Sequence, residues 1–460
     1  MSNQENLFLD KADELAFDLT HRKKILFNLK QYDTKVEQGK EQYANLELAK
    51  ERAAFIKWKT IENLDKYLLE FEANFTKRGG KVIWALDAEE AVSEVLGILE
   101  RANAKSVVKS KSMITEEIHL NKHLEAHGIE PVETDLGEFI VQLRDEPPYH
   151  IVTPAMHLSK EDVAKTFHEV YKLPLDSTPS DITAYVRKML RQKYQQAEAG
   201  ITGANFIIAD TGAIAITENE GNAMMSMAFP KIQITIAGIE KMLPSLADLD
   251  LFWPLLATHG TGQNLTVYNS ILSGPRQEGE FDGPEEMYVV LLDNNRTNLL
   301  AQHDQRQALS CIRCGACLNA CPVYKNVGGH TYGTVYSGPI GSVISPHLSG
   351  MREFKHLSYA SSLCGKCTEV CPVKIELHKL LLYNRRDSVE ADLSSKSEKW
   401  IYVFWKKAML KRETMNKGGA STKNFMLQNF FRKSWGDRRD LPKVAAKSFN
   451  EIMRERMGMR

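Results

Sequence analysis

Apolar residues in the first 78 positions recur every three or four residues, which is the spacing of one face of a helix. Clear members of this pattern are Leu46, Ala49, Ala53, Ile56, Ile61, Leu64, Tyr67, Leu68 and Phe71. Gly79 and Gly80 then interrupt it, because two adjacent glycines favour a break over a continued helix. We therefore predict an N-terminal helical arm over residues 1–78.

From residue 79 to about residue 300, short β-rich runs alternate with helical patterns. The predicted strands are 81–85, 106–109, 204–210, 212–217, 231–237 and 287–292. One helix is predicted from Asp87 to Ala104, and another from a cap at Thr115 to Gly128. Because alternating strands and helices are typical of a parallel sheet, we predict an α/β domain over residues 79–300, closing around 296–300.

Residues 301–390 are predicted to form a helical module that contains two cysteine runs. Helices are predicted over 351–362 and 375–387, with a loop over 335–341. The runs are separated by 42 residues, more than a compact bacterial ferredoxin needs. This long insertion favours a helical ferredoxin module over the compact form.

The net charge is zero, but the charges are unevenly distributed. Residues 391–460 carry 17 Lys and Arg against 7 Asp and Glu, whereas residues 1–390 carry 42 against 52. This basic tail is predicted to be helical. A helix is predicted to begin at the apolar run Trp400–Trp405, which Lys406 and Lys407 follow. Such a helix suits an acidic partner, an anionic membrane or the acidic body of the chain itself. We predict docking within a complex, with peripheral membrane contact as the alternative, and no nucleic-acid partner.

No apolar run approaches the roughly 20 residues that span a bilayer. The N-terminus includes acidic residues early and lacks the apolar core of a signal peptide. All seven cysteines lie in the two runs, and cysteines kept as thiols indicate a reducing compartment. We predict that the protein is cytoplasmic.

The first cysteine run has the spacing C-x2-C-x2-C-x3-C-P, and the second has C-x2-C-x3-C-P. The cysteines are Cys311, Cys314, Cys317 and Cys321 in the first run, and Cys364, Cys367 and Cys371 in the second. The first spacing is typical of a cubane iron–sulfur cluster. A structural zinc site takes four ligands and rarely uses this run. A disulfide framework is disfavoured by the odd count, the chain length and the absence of a secretion signal.

In two-cluster ferredoxins, the fourth cysteine of each run binds the cluster of the other run. Two iron–sulfur clusters of the 4Fe-4S type are therefore predicted. Cluster 1 is assigned Cys311, Cys314, Cys317 and Cys371, and cluster 2 is assigned Cys321, Cys364 and Cys367.

Cluster 2 lacks a fourth cysteine, because Ser361 occupies that position of the second run. Water, Ser361 or a nearby histidine could fill this corner; the candidate histidines are His330, His347 and His356. A lone histidine in such a segment is more often a hydrogen-bonding loop residue than a ligand. The corner could also lose its iron or bind a substrate. We predict a labile four-iron cluster, with a 3Fe-4S form as the alternative.

Other polar motifs have two interpretations each. Asp210-Thr211-Gly212 and the segment 218–222 could line a ligand pocket at strand ends or could simply be hairpin residues. Lys109, Lys111 and Arg276 could hold an anion or lie in solvent. The chain has no G-x-G-x-x-G after a strand, no P-loop and no H-E-x-x-H, so no flavin or nicotinamide site is visible in the sequence.

Several motifs resemble those of the lactate-utilisation protein B family of bacteria, over nearly the full length. They are 108–113 (VKSKSM), 133–138 (ETDLGE), 209–214 (ADTGAI), 274–279 (GPRQEG), 292–296 (LDNNR), 328–333 (GGHTYG), 336–341 (YSGPIG) and 435–438 (WGDR). The resemblance implies an iron–sulfur electron carrier in the oxidation of L-lactate to pyruvate, working with two companion proteins of the same operon and an unknown electron acceptor. It also implies an α/β domain with the sugar-phosphate isomerase and CoA-transferase fold.

The leading hypothesis is therefore an electron-transfer subunit of a lactate-oxidising complex. A second hypothesis makes the α/β domain a transferase or isomerase with a nucleophilic Glu218 or Glu220, in which the clusters are structural or sensing. A third makes the chain a scaffold that only docks partners. No catalytic residue is assigned.

Overall fold

Ten strands form in the part of the chain that this computed structural model describes, residues 2–436 and 440–458. They are β1 Lys81–Ala85, β2 Ser106–Lys109, β3 Glu130–Glu133, β4 Ala199–Gly203, β5 Phe206–Ile208, β6 Ala213–Glu218, β7 Ile232–Gly238, β8 Met242–Leu243, β9 Tyr268–Leu272 and β10 Glu286–Leu292. Six of them form one sheet in the order β1-β10-β7-β4-β2-β3, and every pairing in it is parallel. The other four form a smaller mixed sheet, β8-β5-β6-β9.

The chain divides into two compact units, one up to Ala391 and one from Asp392. The α-helices of the first unit are α1 Asn3–Phe17, α2 Leu19–Lys40, α3 Leu46–Glu62, α4 Leu64–Lys77, α5 Ala88–Arg101, α6 Met113–Glu117, α7 Leu120–Ala126, α8 Leu136–Leu143, α9 Lys160–Tyr171, α10 Pro179–Gln196, α11 Asn222–Ala228, α12 Leu249–Thr261, α13 Arg296–Ala301, α14 Ala316–Ala320, α15 Pro322–Val327, α16 Gly338–Leu348, α17 Met351–Tyr359, α18 Lys366–Glu369 and α19 Leu377–Glu390. Short 3-10 helices occupy Ile239–Lys241, Leu246–Asp248, Arg306–Ser310 and His330–Tyr332.

The parallel sheet is buried on both faces, as its continuous apolar strands require. On one face, α5 contributes Val95 and Leu99 to a core with Ile201 and Ile234. On the other face, Phe71 of α4 packs with the small sheet and the strand β10. Because both faces of the sheet are covered, the carboxyl ends of its strands remain available to a ligand.

The helix α1 packs mainly against residues 301–390, whereas α2 and α3 pack against both that segment and α12. Phe8 of α1 contacts Tyr332 with ring centroids 5.9 Å apart, and it shares one core with Ile25, Leu29 and Leu318. Residues far apart in sequence therefore share a continuous core within the first unit. The division of this unit into segments 1–78, 79–300 and 301–390 remains a prediction.

Several predicted elements are confirmed by the structure. The strands 81–85 and 106–109 form as predicted, and the Asp87 side chain caps α5 by accepting a hydrogen bond from the Glu90 N–H. The predicted helices at 351–362 and 375–387 correspond to α17 and α19 with shifted ends.

Other predictions were wrong. The helix predicted from Thr115 to Gly128 is split, because His119 adopts a left-handed φ of 51° between α6 and α7. The strands predicted at 204–210 and 212–217 are confirmed as β5 and β6, but they belong to the separate small sheet and not to the parallel one. The predicted loop 335–341 contains the start of α16, where Pro339 lies in the first turn and needs no N–H partner.

The second unit is helical, and it covers the predicted basic tail of residues 391–460. Its helices are α20 Lys396–Met409, α21 Arg412–Asn416, α22 Gly419–Met426, a π-helical turn Leu427–Phe431, α23 Arg432–Trp435 and α24 Phe449–Arg456. The predicted helix at Trp400–Trp405 is confirmed as part of α20. Asp437 and Arg438 of the WGDR motif lie outside the described residues. No helix in the described ranges is both long and apolar enough to cross a membrane.

Candidate functional site

The two cysteine runs fold in the same way, fifty residues apart. Arg313 and Leu363 adopt left-handed φ values of 60° and 53°, and Gly315 and Gly365 follow with 81° and 79°. Each pair precedes a short helix, α14 or α18, that carries the next cysteine. At Gly315 a side chain would also approach His150 and Val152 closely. The left-handed turns therefore give the two runs the same local backbone conformation.

Four cysteines line a small apolar cavity between the runs. They are Cys311, Cys314 and Cys317 of the first run and Cys371 of the second. Burial raises the pKa of Cys371 to about 12, and the neighbouring Cys311 contributes to this rise. The structure thus places the last cysteine of the second run with the first three of the first run.

The other three cysteines lie together at a more exposed place. Burial raises the pKa of Cys367 to about 11, and the neighbouring Cys321 and Cys364 contribute to this rise. Cys364 is exposed, whereas Cys321 is half-buried and Cys367 is buried. No group of three or more His, Cys, Asp or Glu side chains in the described ranges is arranged around a single metal-ion position.

Backbone N–H groups point at two of the sulfurs of the first group. The Arg313 N–H donates to Cys311 Sγ at 3.4 Å, and the Ile375 N–H donates to Cys371 Sγ at 3.3 Å. Hydrogen bonds to ligand sulfurs stabilise the thiolate form and tune the potential of an iron–sulfur cluster. The donors, the turns and the four-cysteine cavity therefore fit a cubane cluster.

Ser361 occupies the place in the second run that Cys311 occupies in the first. It is half-buried, and its Oγ accepts a hydrogen bond from the Leu363 N–H at 3.2 Å. The three candidate histidines make hydrogen bonds elsewhere: His330 with the Pro147 carbonyl, His347 with Asn384 and His356 with the Glu353 carbonyl. These contacts match the interpretation of the histidines as hydrogen-bonding residues, although Nε2 of His356 is buried without a partner.

A buried ionic network joins the first cysteine run to the α/β layers. Arg296, 1% exposed, contacts Glu240 at 2.6 Å and Glu117 at 2.8 Å. Arg313 contacts the other oxygen of Glu240 at 3.3 Å, and Tyr336 donates to Glu117 at 2.6 Å. Burial alone would raise the pKa of Glu240, but Arg296 and Arg313 lower it to about 2. Glu240 is therefore ionised and is shared between the two arginines.

A larger cavity of about 400 Å³ lies at the carboxyl ends of β2, β4 and β7 and reaches the first cysteine run. Its lining includes Lys111, Asp135, Glu218, Glu220, Lys241, Arg313, Cys314 and Tyr336. Burial, with Arg313 nearby, lowers the pKa of Lys241 to about 8. Partial burial raises the pKa of Glu218. Carboxyl ends of parallel strands are the usual ligand-binding edge of α/β folds.

The structure separates the polar motifs that the sequence left ambiguous. Glu218 and Glu220 line the large cavity, whereas Asp210 accepts hydrogen bonds from the Leu246 N–H in a turn. Lys111 lines the cavity, but Lys109 is fully buried and forms an ion pair with Glu133 at 2.8 Å.

Arg276, the remaining anion-site candidate, pairs with Glu285 at 3.4 Å, away from this cavity. Sequence reasoning missed the charged pair Glu240-Lys241. Its only signal was its position directly after the buried apolar strand β7.

Comparisons with known proteins match both parts of the first unit. Residues 68–292 match a family model described as the LUD domain, and residues 307–375 match one described as a 4Fe-4S dicluster domain. A protein of Geobacillus sp. named lactate utilization protein B is 48% identical over 357 residues, covering 75% of each chain. The Bacillus subtilis protein of the same name is 47% identical over 357 residues, covering 75% of this chain and 74% of that one. A crystal structure of a DUF162 family protein from Deinococcus radiodurans matches half of this chain and 98% of its own, with 14% identity and a TM-score of 0.29.

We expect Glu240→Gln to destabilise the first unit by about 3–5 kcal/mol, because it leaves buried arginine charge without its carboxylate. Anaerobic differential scanning calorimetry should show a clearly lower melting temperature. Glu286→Gln is the matched control, since Glu286 pairs with Lys81 at 2.6 Å but is 45% exposed, and an exposed pair contributes about 0–1 kcal/mol. Equal melting temperatures for the two variants would show that the network does not stabilise the fold.

Proposed function

Because this chain belongs to the lactate utilization protein B family, we propose that it is the iron–sulfur electron-transfer subunit of a complex that oxidises L-lactate to pyruvate. The observation that carries the proposal is the grouping of Cys371 with the first three cysteines around one cavity. That grouping suits a pair of clusters with exchanged ligands, which lie close together. The match to a 4Fe-4S dicluster domain supports the same cofactor class.

The proposed division of labour follows from the chemistry of the reaction. Oxidation of lactate removes two electrons and two protons, and an iron–sulfur cluster, when bound, accepts one electron at a time. The cysteines of this chain would hold the clusters, and backbone N–H groups donate to two sulfurs assigned to cluster 1, those of Cys311 and Cys371. Companion lactate-utilisation proteins of the same operon would then handle the hydroxy acid, and the electron acceptor is a further partner. We place this complex in the cytoplasm, where thiols stay reduced.

The first test is lactate-dependent reduction. In protein purified anaerobically with its companion proteins, L-lactate should bleach the visible absorbance of the clusters and generate an EPR signal, while pyruvate should do neither. Dithionite treatment of the same sample serves as the positive control for reducible clusters. A dithionite-reducible sample that does not respond to L-lactate would contradict the proposal.

A second candidate function is an enzyme activity of the α/β domain itself, with a fold like the sugar-phosphate isomerases and CoA-transferases. It is favoured by the large cavity, which Glu218 and Glu220 line. Glu220→Gln separates the two candidates in the same assay. At saturating L-lactate, where a several-fold change in affinity has no effect, the electron-transfer proposal expects lactate-dependent reduction to persist in this variant. Loss of the reaction with intact clusters would favour the enzyme.

Exchanged ligation predicts a crossed mutational pattern. Cys371→Ser should disturb the cluster of the first run, and Cys321→Ser should disturb the cluster of the second run, because each residue is proposed to bind the opposite cluster. EPR spectra of the two reduced variants, compared with the parent protein, would identify the surviving cluster. The assignment fails if each substitution disturbs the cluster of its own run.

The fourth corner of cluster 2 gives a further prediction. A serine hydroxyl holds its proton far more tightly than a thiol does, so Ser361 is a poor ligand at neutral pH. Air exposure should therefore convert cluster 2 to a three-iron form with its own EPR signal, and Ser361→Cys should suppress that signal. An unchanged signal in Ser361→Cys would mean that the fourth ligand lies elsewhere. Ser362→Cys, a change at the next position, is the matched control and should leave the signal unaltered.

The second unit is proposed to dock on the companion proteins. Six consecutive residues of α20, Trp400–Trp405, are each at least 43% exposed, and Lys406 and Lys407 follow them. Burial of an exposed apolar run against a partner is favourable, and the flanking cations favour a partner with an acidic surface.

Truncation after Asp392 should therefore reduce co-purification with the companion proteins while both clusters remain. A Lys406→Gln, Lys407→Gln double variant would test the charge contribution alone. Loss of binding to anionic liposomes with the complex intact would instead support membrane contact.

A further inference from the structure

The large cavity has a positive end beside the first cysteine run. The Lys241 side chain lines it and makes no hydrogen bond or ion pair with any residue in the described ranges. Arg313 lines it too, with a side chain that is 11% exposed and an Nη1 that has no partner. Two cationic side chains therefore line the same space, and the ammonium group of Lys241 has no protein partner in the described ranges.

The nearby carboxylates do not neutralise this end. Glu240 is already shared by Arg296 and Arg313, and Glu117 is occupied by Arg296 and Tyr336. Buried or half-buried charges without partners are costly, so they usually mark a place where a ligand supplies the opposite charge. An oxyanion is the chemical group that accepts hydrogen bonds from both an ammonium and a guanidinium group.

Another part of the cavity lining, the acidic wall, is rich in carboxylates, although Lys111 also lies near it. It carries Asp135, Glu218 and Glu220. Both oxygens of Glu218 accept backbone N–H groups, from Ala223 and Met224, so this carboxylate is held in place. Carboxylates of this kind accept hydrogen bonds from hydroxyl groups and repel a second negative charge.

We propose that this cavity binds a small hydroxylated organic oxyanion, with the oxyanion on Lys241 and Arg313 beside cluster 1 and the hydroxyl groups toward the acidic wall. The volume of about 400 Å³ lies in the range of small-molecule sites. Both a hydroxycarboxylate and a polyol phosphate combine an oxyanion with hydroxyl groups. The proposal rests on the proposed function only in placing cluster 1 next to the site.

The competing role for Lys241 and Arg313 is to balance the negative charge of the four thiolates. In that case the cations need no ligand, and their removal would change the cluster potential without affecting any binding equilibrium. Direct measurement of binding therefore separates the two roles.

The test is isothermal titration calorimetry on the full-length protein, purified anaerobically, with L-lactate, glycerol 3-phosphate and inorganic phosphate as separate probes. We expect saturable binding of L-lactate or of glycerol 3-phosphate, and the responding probe identifies the carboxylate or the phosphate class. Lys241→Met should weaken that binding at least 10-fold, while Lys241→Arg should keep it within about threefold, because Arg preserves the charge. Failure of both organic probes to bind, or equal binding by Lys241→Met, would overturn the proposal.

Lys231→Met is the matched control. Lys231 directly precedes β7, whereas Lys241 follows the other end of the same strand. The side chain of Lys231 is 79% exposed. This variant should bind the probe as the parent protein does, and weakening equal to that of Lys241→Met would overturn the placement of the site. Iron content and circular dichroism establish that each variant is folded.

Glu220→Gln tests the acidic wall without disturbing the buried network, because Glu220 lies at the exposed rim. It should weaken binding of the hydroxylated probe several-fold and leave any binding of inorganic phosphate unchanged. Binding of inorganic phosphate as tightly as the organic probes would overturn the assignment of an organic ligand.

A bound oxyanion should also lower the midpoint potential of cluster 1, since negative charge near Cys314 opposes the addition of an electron. An unchanged potential at saturating ligand would overturn the position beside the cluster. Calorimetry does not depend on lactate-dependent reduction, so failure of this proposal and failure of the electron-transfer function are observed in different experiments.

Discussion

The convergence of two distant cysteine runs is the constraint on which the rest of the first unit depends. Cys371 can join Cys311, Cys314 and Cys317 only if the 42 residues between the runs fold back on themselves. The helices α16 and α17 accomplish this, and they bury Ile340, Val343 and Leu357 in the same core as the cysteines. A pair of clusters with exchanged ligands would fix this arrangement covalently, in addition to the apolar core that the two runs share.

A second constraint connects that module to the parallel sheet. Arg313 lies between two cysteines, and its ion pair with Glu240 fixes the turn of the first run against the end of β7. Arg296 forms ion pairs with both Glu240 and Glu117, and all three side chains are buried, so water cannot replace a lost partner. A ligand that binds at the carboxyl ends of the strands would therefore be separated from the first cysteine group by a single side chain, that of Arg313. This short connection links the cavity to the proposed electron carrier.

The sequence predicted the parts of the molecule in which local pattern decides the structure. The strand Lys81–Ala85 and the Asp87 cap have strong local signals, and both form as predicted. Prediction failed where distant packing decides the conformation. β4 was not predicted because Gly200 weakens its pattern, yet a side chain there would lie 1.8 Å from the Ser226 carbonyl oxygen. α16 resembled a loop for a similar reason, since Gly341 is required by close contact with the Tyr336 backbone.

The candidate site divides in the same way. The cysteines were visible from spacing alone, whereas Lys241 and Glu240 acquire their roles only when the end of β7 meets Arg313. The proposed electron transfer depends on the grouping of the seven cysteines into two crossed sets. Its most direct test is iron, zinc and acid-labile sulfide analysis of anaerobically purified protein, combined with EPR of the fully reduced sample. We expect iron and sulfide for two clusters per chain and an EPR spectrum broadened by magnetic interaction between neighbouring clusters. Bound zinc without sulfide, or the signal of a single isolated cluster, would show that the grouping is wrong.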